Sequence, residues 1–283
     1  MIPVAFDYVR PSSVDDAVAA LGSAGEDAKV LAGGQSLLPV LRLRLAAPTA
    51  LVDLGGIPEL RGIRVDGDEL VIGAMTTHDE VARSSTVAAE APLVGLVAAT
   101  VGDRQVRHRG TLGGSIAHAD PAGDLPTAAV ALDATMVVAG PSGRRSIPAA
   151  EFFTDMFTTA LGPGEILVEV RFPRMPGWTA HYEKFHRTAQ AWAVVGVAAA
   201  VRRSNGSIAE ARVALTNMGP TPVRASAVES ALAGATDLGT VKAAAANAGA
   251  ATSPPSDSSG TADYRRHLAG VLTARAVAAA AGL

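Results

Sequence analysis

Apolar positions along this chain come in short blocks that switch between helical and strand-like spacing, with glycine and proline at the switches. Residues 12–22 read as a first helix: Ser13 is placed to cap it, Asp16 stands at the capping-box position and Gly22 is placed to end it. The apolar run through Val30 reads as a strand. A glycine pair follows, and then a second helix from about Leu37, with Ser36 placed as its cap and Pro39 in its first turn, where a missing N–H does no harm. Residues 50–54 read as the returning strand. The order helix, strand, loop, helix, strand predicts an α/β unit over 1–55.

The pattern changes at Gly55-Gly56-Ile57-Pro58. Residues 63–65 and 70–73 flank Asp66-Gly67-Asp68 and read as a β-hairpin. Thr77 or Ser84 is placed to cap a short helix, and 92–101 reads as an apolar helix ended by Gly102. A second glycine pair follows, then a hairpin over 136–147 around Gly140-Pro141-Ser142-Gly143, and a strand over 166–172 closes a second unit, 56–175. Residues 173–177 read as a linker. In the last unit, 176–283, residues 193–202 and 208–217 read as paired strands. Alanine-rich helices follow near 223–233, 239–250 and 263–281, where alanine supplies helix propensity and close packing. The fold class expected is α+β: two α/β subdomains, then a domain of antiparallel strands and helices.

Composition narrows the chemistry. The net charge of -3 gives no basic excess to favour nucleic acid or an anionic membrane. The N-terminus has no signal-peptide pattern, and no stretch approaches the roughly 20 apolar residues of a membrane helix, so a cytoplasmic protein without an integral membrane segment is expected. Cysteine is absent, which excludes disulfides, a cysteine nucleophile, zinc-thiolate sites and cysteine-held iron–sulfur clusters from this chain. The histidines are scattered, none four residues from another, so no metal is expected.

Two segments carry candidate chemistry: Ala32-Gly33-Gly34-Gln35-Ser36, and Thr111-Leu112-Gly113-Gly114-Ser115. Both lack bulky side chains and end in serine, which suits a backbone whose N–H groups approach phosphate closely. The first lies between a strand and a helix, the context phosphate binding needs. The second continues as Ile116-Ala117-His118-Ala119-Asp120-Pro121, with Asp124 beyond.

Together with Tyr182-Glu183-Lys184, Ala214-Leu215-Thr216-Asn217 and Gly219-Pro220-Thr221-Pro222-Val223-Arg224, these segments resemble the FAD-binding medium subunits of molybdenum hydroxylases along essentially the whole chain. The carbon monoxide dehydrogenase branch is nearer than the xanthine dehydrogenase flavin domain. The resemblance implies an FAD-binding fold, with Val30, Leu31, Ala32, Gly33, Gly34, Gln35, Ser36 and Leu37 as one pyrophosphate cradle. Thr111, Leu112, Gly113, Gly114 and Ser115 are implied as the other. It puts Asp124 at the sugar or phosphate end of FAD, Ile166 or Leu167 against the ring system, Lys184 beside the isoalloxazine and Trp192 near the flavin. It implies an oxidoreductase function: electron transfer from iron–sulfur clusters through FAD to an external acceptor. Partners are implied as well: a small iron–sulfur subunit and a large molybdopterin subunit, in a dimer of heterotrimers.

Simpler readings stand beside these. Asp124 suits an N-cap for a helix entered through Pro126, Lys184 a solvated strand position, Trp192 a core position and His118 a structural one. Arg104, Arg107, His108 and Arg109 suit a solvated face, or a contact with phosphates or a partner. Ala191 departs from the acidic residue the relatives usually carry there. Two other functions compete: a free-standing FAD-dependent oxidoreductase, with His118 or His181 as its base, and a cofactor-free assembly subunit, in which the glycine segments would be expected to have eroded.

Overall fold

The computed structural model of the chain describes residues 2–283. Its first sheet is small and parallel: Asp7–Val9 pairs with Ala50–Asp53, which pairs with Lys29–Leu31. Asp7–Val9 was not expected, and its three exposed residues offer no alternation to read. The helix Val14–Ala24 buries Val14, Ala17 and Val18 against Val52 of this sheet and against Ala139, Ile166 and Val168 of the next. Ser13 caps it as expected, accepting from the Asp16 N–H at 3.1 Å. Gly22 does not end it. The helix runs on to Ala24, and Gly25, at φ +83°, makes the stop. A helical glycine costs only about 1 kcal/mol relative to alanine, whereas a positive φ is a true terminator.

The central sheet is antiparallel throughout, in the order Ile63–Asp66, Glu69–Gly73, Ile166–Pro173, Thr135–Gly140, Gly143–Pro148. Both expected hairpins form its flanks. Ile166–Pro173 is its middle strand, covered on both faces, which is why it reads as an apolar run. The helices Pro92–Ala99 and Asp124–Ala131 cover the sheet, burying Leu93, Val94, Val97, Leu125 and Ala128 with Leu70, Ile72, Met136, Val138, Val170 and Phe172.

The C-terminal sheet runs Trp178–Phe185, Val195–Ser204, Ser207–Thr216, Val223–Arg224. Its second strand is sandwiched. Ala198 and Ala200 join the core of the central unit, while Val195, Val197, Ala199 and Val201 pack with the helices Ser226–Leu232, Leu238–Ala245 and Ala262–Ala281. Small residues on one face let the sheet approach the Asp124–Ala131 helix closely, and that approach carries Tyr182 and Lys184 to Asp124. No helix among the described residues is long and apolar enough to cross a membrane.

Candidate functional site

The three sheets and their helices leave a cavity of about 630 Å³. It is lined by Val30, Ala32, Gly33, Gly34, Gln35, Ser36 and Leu37 from the first glycine segment, and by Thr111, Gly113, Gly114 and Ser115 from the second. Asp124, Ile166, Leu167, Lys184 and Trp192 complete the candidates that it brings together. Two candidates do not line it. Leu112 is fully buried in the central core, and Leu31 is a half-buried strand residue, because helix and strand geometry turn those side chains away from their neighbours' face.

The two glycine segments differ in construction. In the first, Gly34 takes φ +75°, and the N–H groups of Gly33, Gly34, Gln35, Ser36 and Leu37 have no hydrogen-bond partner among the described residues. Gly33 is needed for a close approach: a Cβ there would overlap the Arg109 carbonyl oxygen and stand 2.7 Å from Gly110 Cα. Ser36 does not cap the helix Leu37–Arg42 as expected. Its backbone is already helical, at φ -97° and ψ -45°, because the turn begins earlier, with the Leu38 N–H donating to Gly34 O at 2.9 Å. A capping serine needs extended backbone, so the Ser36 hydroxyl has no hydrogen-bond partner among the described residues.

The second segment is the first turn of a helix, Leu112–His118, rather than a loop. Thr111 caps it, accepting from the Gly114 N–H at 3.1 Å. Three more N–H groups are committed: Leu112 N–H to Thr76 O at 2.9 Å, Gly113 N–H to Ala74 O at 2.8 Å, and Ser115 N–H to Thr111 O at 3.0 Å. A Cβ on Gly113 would overlap Ala74, and one on Gly114 would stand 2.7 Å from Thr111 Oγ1 and 3.3 Å from Ala32 Cβ. These glycines serve packing first. A bulge in the central strand between Leu167 and Glu169 supports the arrangement, since Val168 O accepts from the Ala74 N–H at 2.8 Å.

At the other end of the cavity lies a buried polar chain. Lys184 Nζ donates to Asp124 Oδ2 at 2.7 Å and to Thr100 O at 3.2 Å, and both side chains of the ion pair are nearly fully buried. Tyr182 Oη donates to Asp124 Oδ1 at 2.6 Å and stands 3.0 Å from Thr216 Oγ1, which donates to Thr127 Oγ1 at 2.7 Å. Gly196 makes room: a Cβ there would overlap Tyr182 Oη and stand 2.9 Å from Thr216 Oγ1. Burial pushes the Asp124 carboxyl above the usual carboxylate range, with Lys184 and Tyr182 pulling the other way. The Tyr182 hydroxyl is held well above its ordinary value by burial and by the Asp124 charge.

Three simpler readings are thereby corrected. Asp124 is the first helical residue, after Gly123 in the capping position, and its carboxylate turns to Lys184 and Tyr182 instead of capping. Lys184 is buried in an ion pair, not solvated. Trp192 is 56% exposed at the cavity rim, beside Gln190 and Ala191, not in the core.

Some lining residues gave no signal in the sequence. Ala74, Met75 and His78 arrive from the segment after the first hairpin, and Val101, Gly102, Val106 and Gly110 from the basic run and its approach. His78 is buried and neutral: burial, with the Arg107 charge, lowers its pKa to about 4. Its main-chain N–H ties the two sides together, donating to Gly110 O at 2.9 Å. The basic run folds as the short helix Arg104–Arg109, where Arg107 braces Val101 O and Gly102 O while Arg104, His108 and Arg109 stay exposed. His118 and Asp120 line the cavity too, with the His118 ring 5.1 Å from that of Phe157.

The cradle fits a dinucleotide with linked phosphates: free N–H donors, two unbonded serine hydroxyls and glycines where a Cβ would not fit. Known proteins agree. Residues 4–175 match the FAD binding domain in molybdopterin dehydrogenase, and 180–280 match the CO dehydrogenase flavoprotein C-terminal domain. The carbon monoxide dehydrogenase medium chain of Hydrogenophaga pseudoflava is 45% identical, over 99% of this chain and 98% of its own. The 6-hydroxypseudooxynicotine dehydrogenase complex subunit alpha of Paenarthrobacter nicotinovorans is 37% identical, over 99% and 96%. A solved carbon monoxide dehydrogenase of H. pseudoflava, lacking the Mo-pyranopterin moiety of its molybdenum cofactor, superposes with a TM-score of 0.96 at 47% identity, over 99% and 98%. The chain therefore belongs to the FAD-binding medium-subunit family of the molybdenum hydroxylases, the oxidoreductases that include carbon monoxide and xanthine dehydrogenases.

Proposed function

We propose that this chain is the FAD-carrying electron-transfer subunit of a multi-subunit molybdenum hydroxylase. The observation that carries the reading is convergence: unpartnered N–H groups of the first glycine segment, the Ser36 and Ser115 hydroxyls and the buried Lys184–Asp124 pair all meet one cavity. Its volume falls within the roughly 300–1,000 Å³ of cofactor sites.

Gly33 to Leu37 would hold the pyrophosphate by main-chain donation, and Ser115 would reach it from the opposite side. Thr111 to Gly114 would set the distance between the two sides rather than supply donors. Ile166 and Leu167 would offer the ring system an apolar wall, with Trp192 at its rim. Lys184 would place its cation beside the ring, where it stabilises negative charge that develops on reduction. Asp124 has both oxygens engaged, so its first task is to hold that cation in place. Bound FAD supplies a centre that takes up electrons singly and yields them in pairs.

The same reading divides the chain into 1–55, 56–175 and 176–283. Without cysteine, it relies on partners for the clusters. A small iron–sulfur subunit and a large molybdopterin subunit would join it in a dimer of heterotrimers, in the cytoplasm, with an external acceptor drawing electrons from the flavin. A free-standing oxidoreductase would need a base at the ring. Of its two candidates, His181 is bonded to Glu183 at 3.0 Å and lies outside the cavity lining, which leaves His118.

The test is the FAD, iron and molybdenum content of the complex that copurifies with this chain. FAD with both metals in fixed ratio is expected. FAD without metals would favour the free-standing oxidoreductase, and no FAD would overturn both.

A further inference from the structure

Asn217 ends the strand Ser207–Thr216 in left-handed backbone, at φ +61°, and is buried. Its N–H donates to Pro121 O at 2.9 Å, in the turn that leads from the helix Leu112–His118 to Asp124. Its side-chain Nδ2 donates to Ala193 O at 2.8 Å and stands 3.4 Å from Val194 O. Those carbonyls directly follow Gln190, Ala191 and Trp192, the rim of the cavity. One buried residue thus bonds the approach to Asp124 on one side and the rim on the other.

Other bonds restrain the rim differently. Val194 N–H donates to Phe185 O at 2.8 Å, closing the segment on itself. Arg265, paired through both oxygens with Asp257, donates to Val194 O, and Arg187 donates to Ser258 O at 2.7 Å. These tie the rim to its own strand and to the C-terminal loop. Among these restraints, only Asn217 also reaches the Asp120–Asp124 turn. The left-handed backbone alone would suit glycine equally well. The amide is what glycine would not supply.

We infer that Asn217 is a positioning residue that fixes the Trp192 rim at the cavity and couples its position to the seating of Asp124 and Lys184. The inference rests on the reading that the cavity holds FAD. Two variants of the copurified complex separate the contributions. Asn217→Gly keeps the left-handed backbone and the bond to Pro121 while deleting the amide. Asn217→Asp keeps the shape but sets an oxygen against the Ala193 carbonyl.

Both should release FAD about five- to tenfold faster, the worth of one or two buried hydrogen bonds. Both should alter the visible circular dichroism of bound flavin and speed tryptic cleavage at Arg187, while Asn217→Gly still folds and copurifies with its complex, with its melting temperature lowered by the lost amide bond. Parental FAD release, flavin dichroism and Arg187 cleavage in Asn217→Gly would overturn the inference. Should neither variant fold, the unmodified complex gives the answer: removing FAD should speed tryptic cleavage at Arg187, and equal cleavage with and without FAD would overturn it. A complex that never carries FAD would sink the reading of the cavity instead, which is a separate failure.

Discussion

The two glycine segments look alike in sequence and do opposite things in space. In the first, the N–H groups of Gly33 to Leu37 have no partner among the described residues, and all five residues line the cavity. Thr111–Ser115 spends its own on Thr76, Ala74 and Thr111 and presents a glycine surface that permits close packing. The first is built to bind, the second to hold the first at the right distance. A glycine pair followed by serine signals that backbone comes close to something. Whether that something is a phosphate or another piece of protein depends on where the N–H groups point.

Substitutions at the two segments should therefore fail differently. Gly33→Val would drive a branched side chain into Arg109 and Gly110 and force the two sides apart. Flavin absorbance per chain should fall to about a tenth or less, with about 1–3 kcal/mol lost in stability from overpacking. Gly113→Val strikes Ala74 in the core, so denaturant titration should show the larger loss of stability there, with flavin lost as a consequence of unfolding. The reverse ranking would break the contrast.

Lys184→Met strands Asp124 without its cation. Breaking a buried pair costs about 3–5 kcal/mol, and the pH dependence has a definite sign. Asp124 already titrates above the usual carboxylate range, and without Lys184 it moves higher. A raised folded-state pKa keeps stability at low pH and loses it as pH rises through that value. The variant's deficit should thus be greater in mildly alkaline than in mildly acidic buffer, and redox titration should find the flavin potential lowered. An unchanged potential would remove Lys184 from the flavin.

His78, which braces Gly110, titrates with the opposite sign. Its pKa falls from 6.5 to about 4 on folding, so the unfolded chain binds the extra proton between those values. Stability should decline as pH falls through that window, with about 3 kcal/mol from this residue. In His78→Leu that share of the slope should vanish from pH-dependent denaturant midpoints. The smallest effect expected is from Thr111→Ala, about 1 kcal/mol for a lost cap. It frees the Gly114 N–H, so FAD affinity should hold. A sharp loss of FAD would show that the second segment binds directly.

Much of this was legible in the sequence because it is local. The hairpins around Asp66-Gly67-Asp68 and Gly140-Pro141-Ser142-Gly143 form, and Thr77 and Ser84 cap their helices. What escaped depends on contacts between distant residues. Asp124 reads as a helix cap until Lys184, from another sheet, is brought beside it. Trp178–Phe185 shows no clean alternation because both its faces are partly covered. Ser36 has the right residue type for a cap, but Gly34 starts the turn before it. The resemblance named many of the residues that line the cavity and missed others, among them Ala74, Met75 and His78; it could not tell donors in use from donors to spare.

Amide hydrogen exchange, read by mass spectrometry with and without FAD, tests the central contrast most directly. The account predicts that amides 33–37 exchange freely without FAD and are strongly protected with it, while 112–115 are protected in both. Protection gained equally in the two segments, or in 112–115 alone, would contradict it.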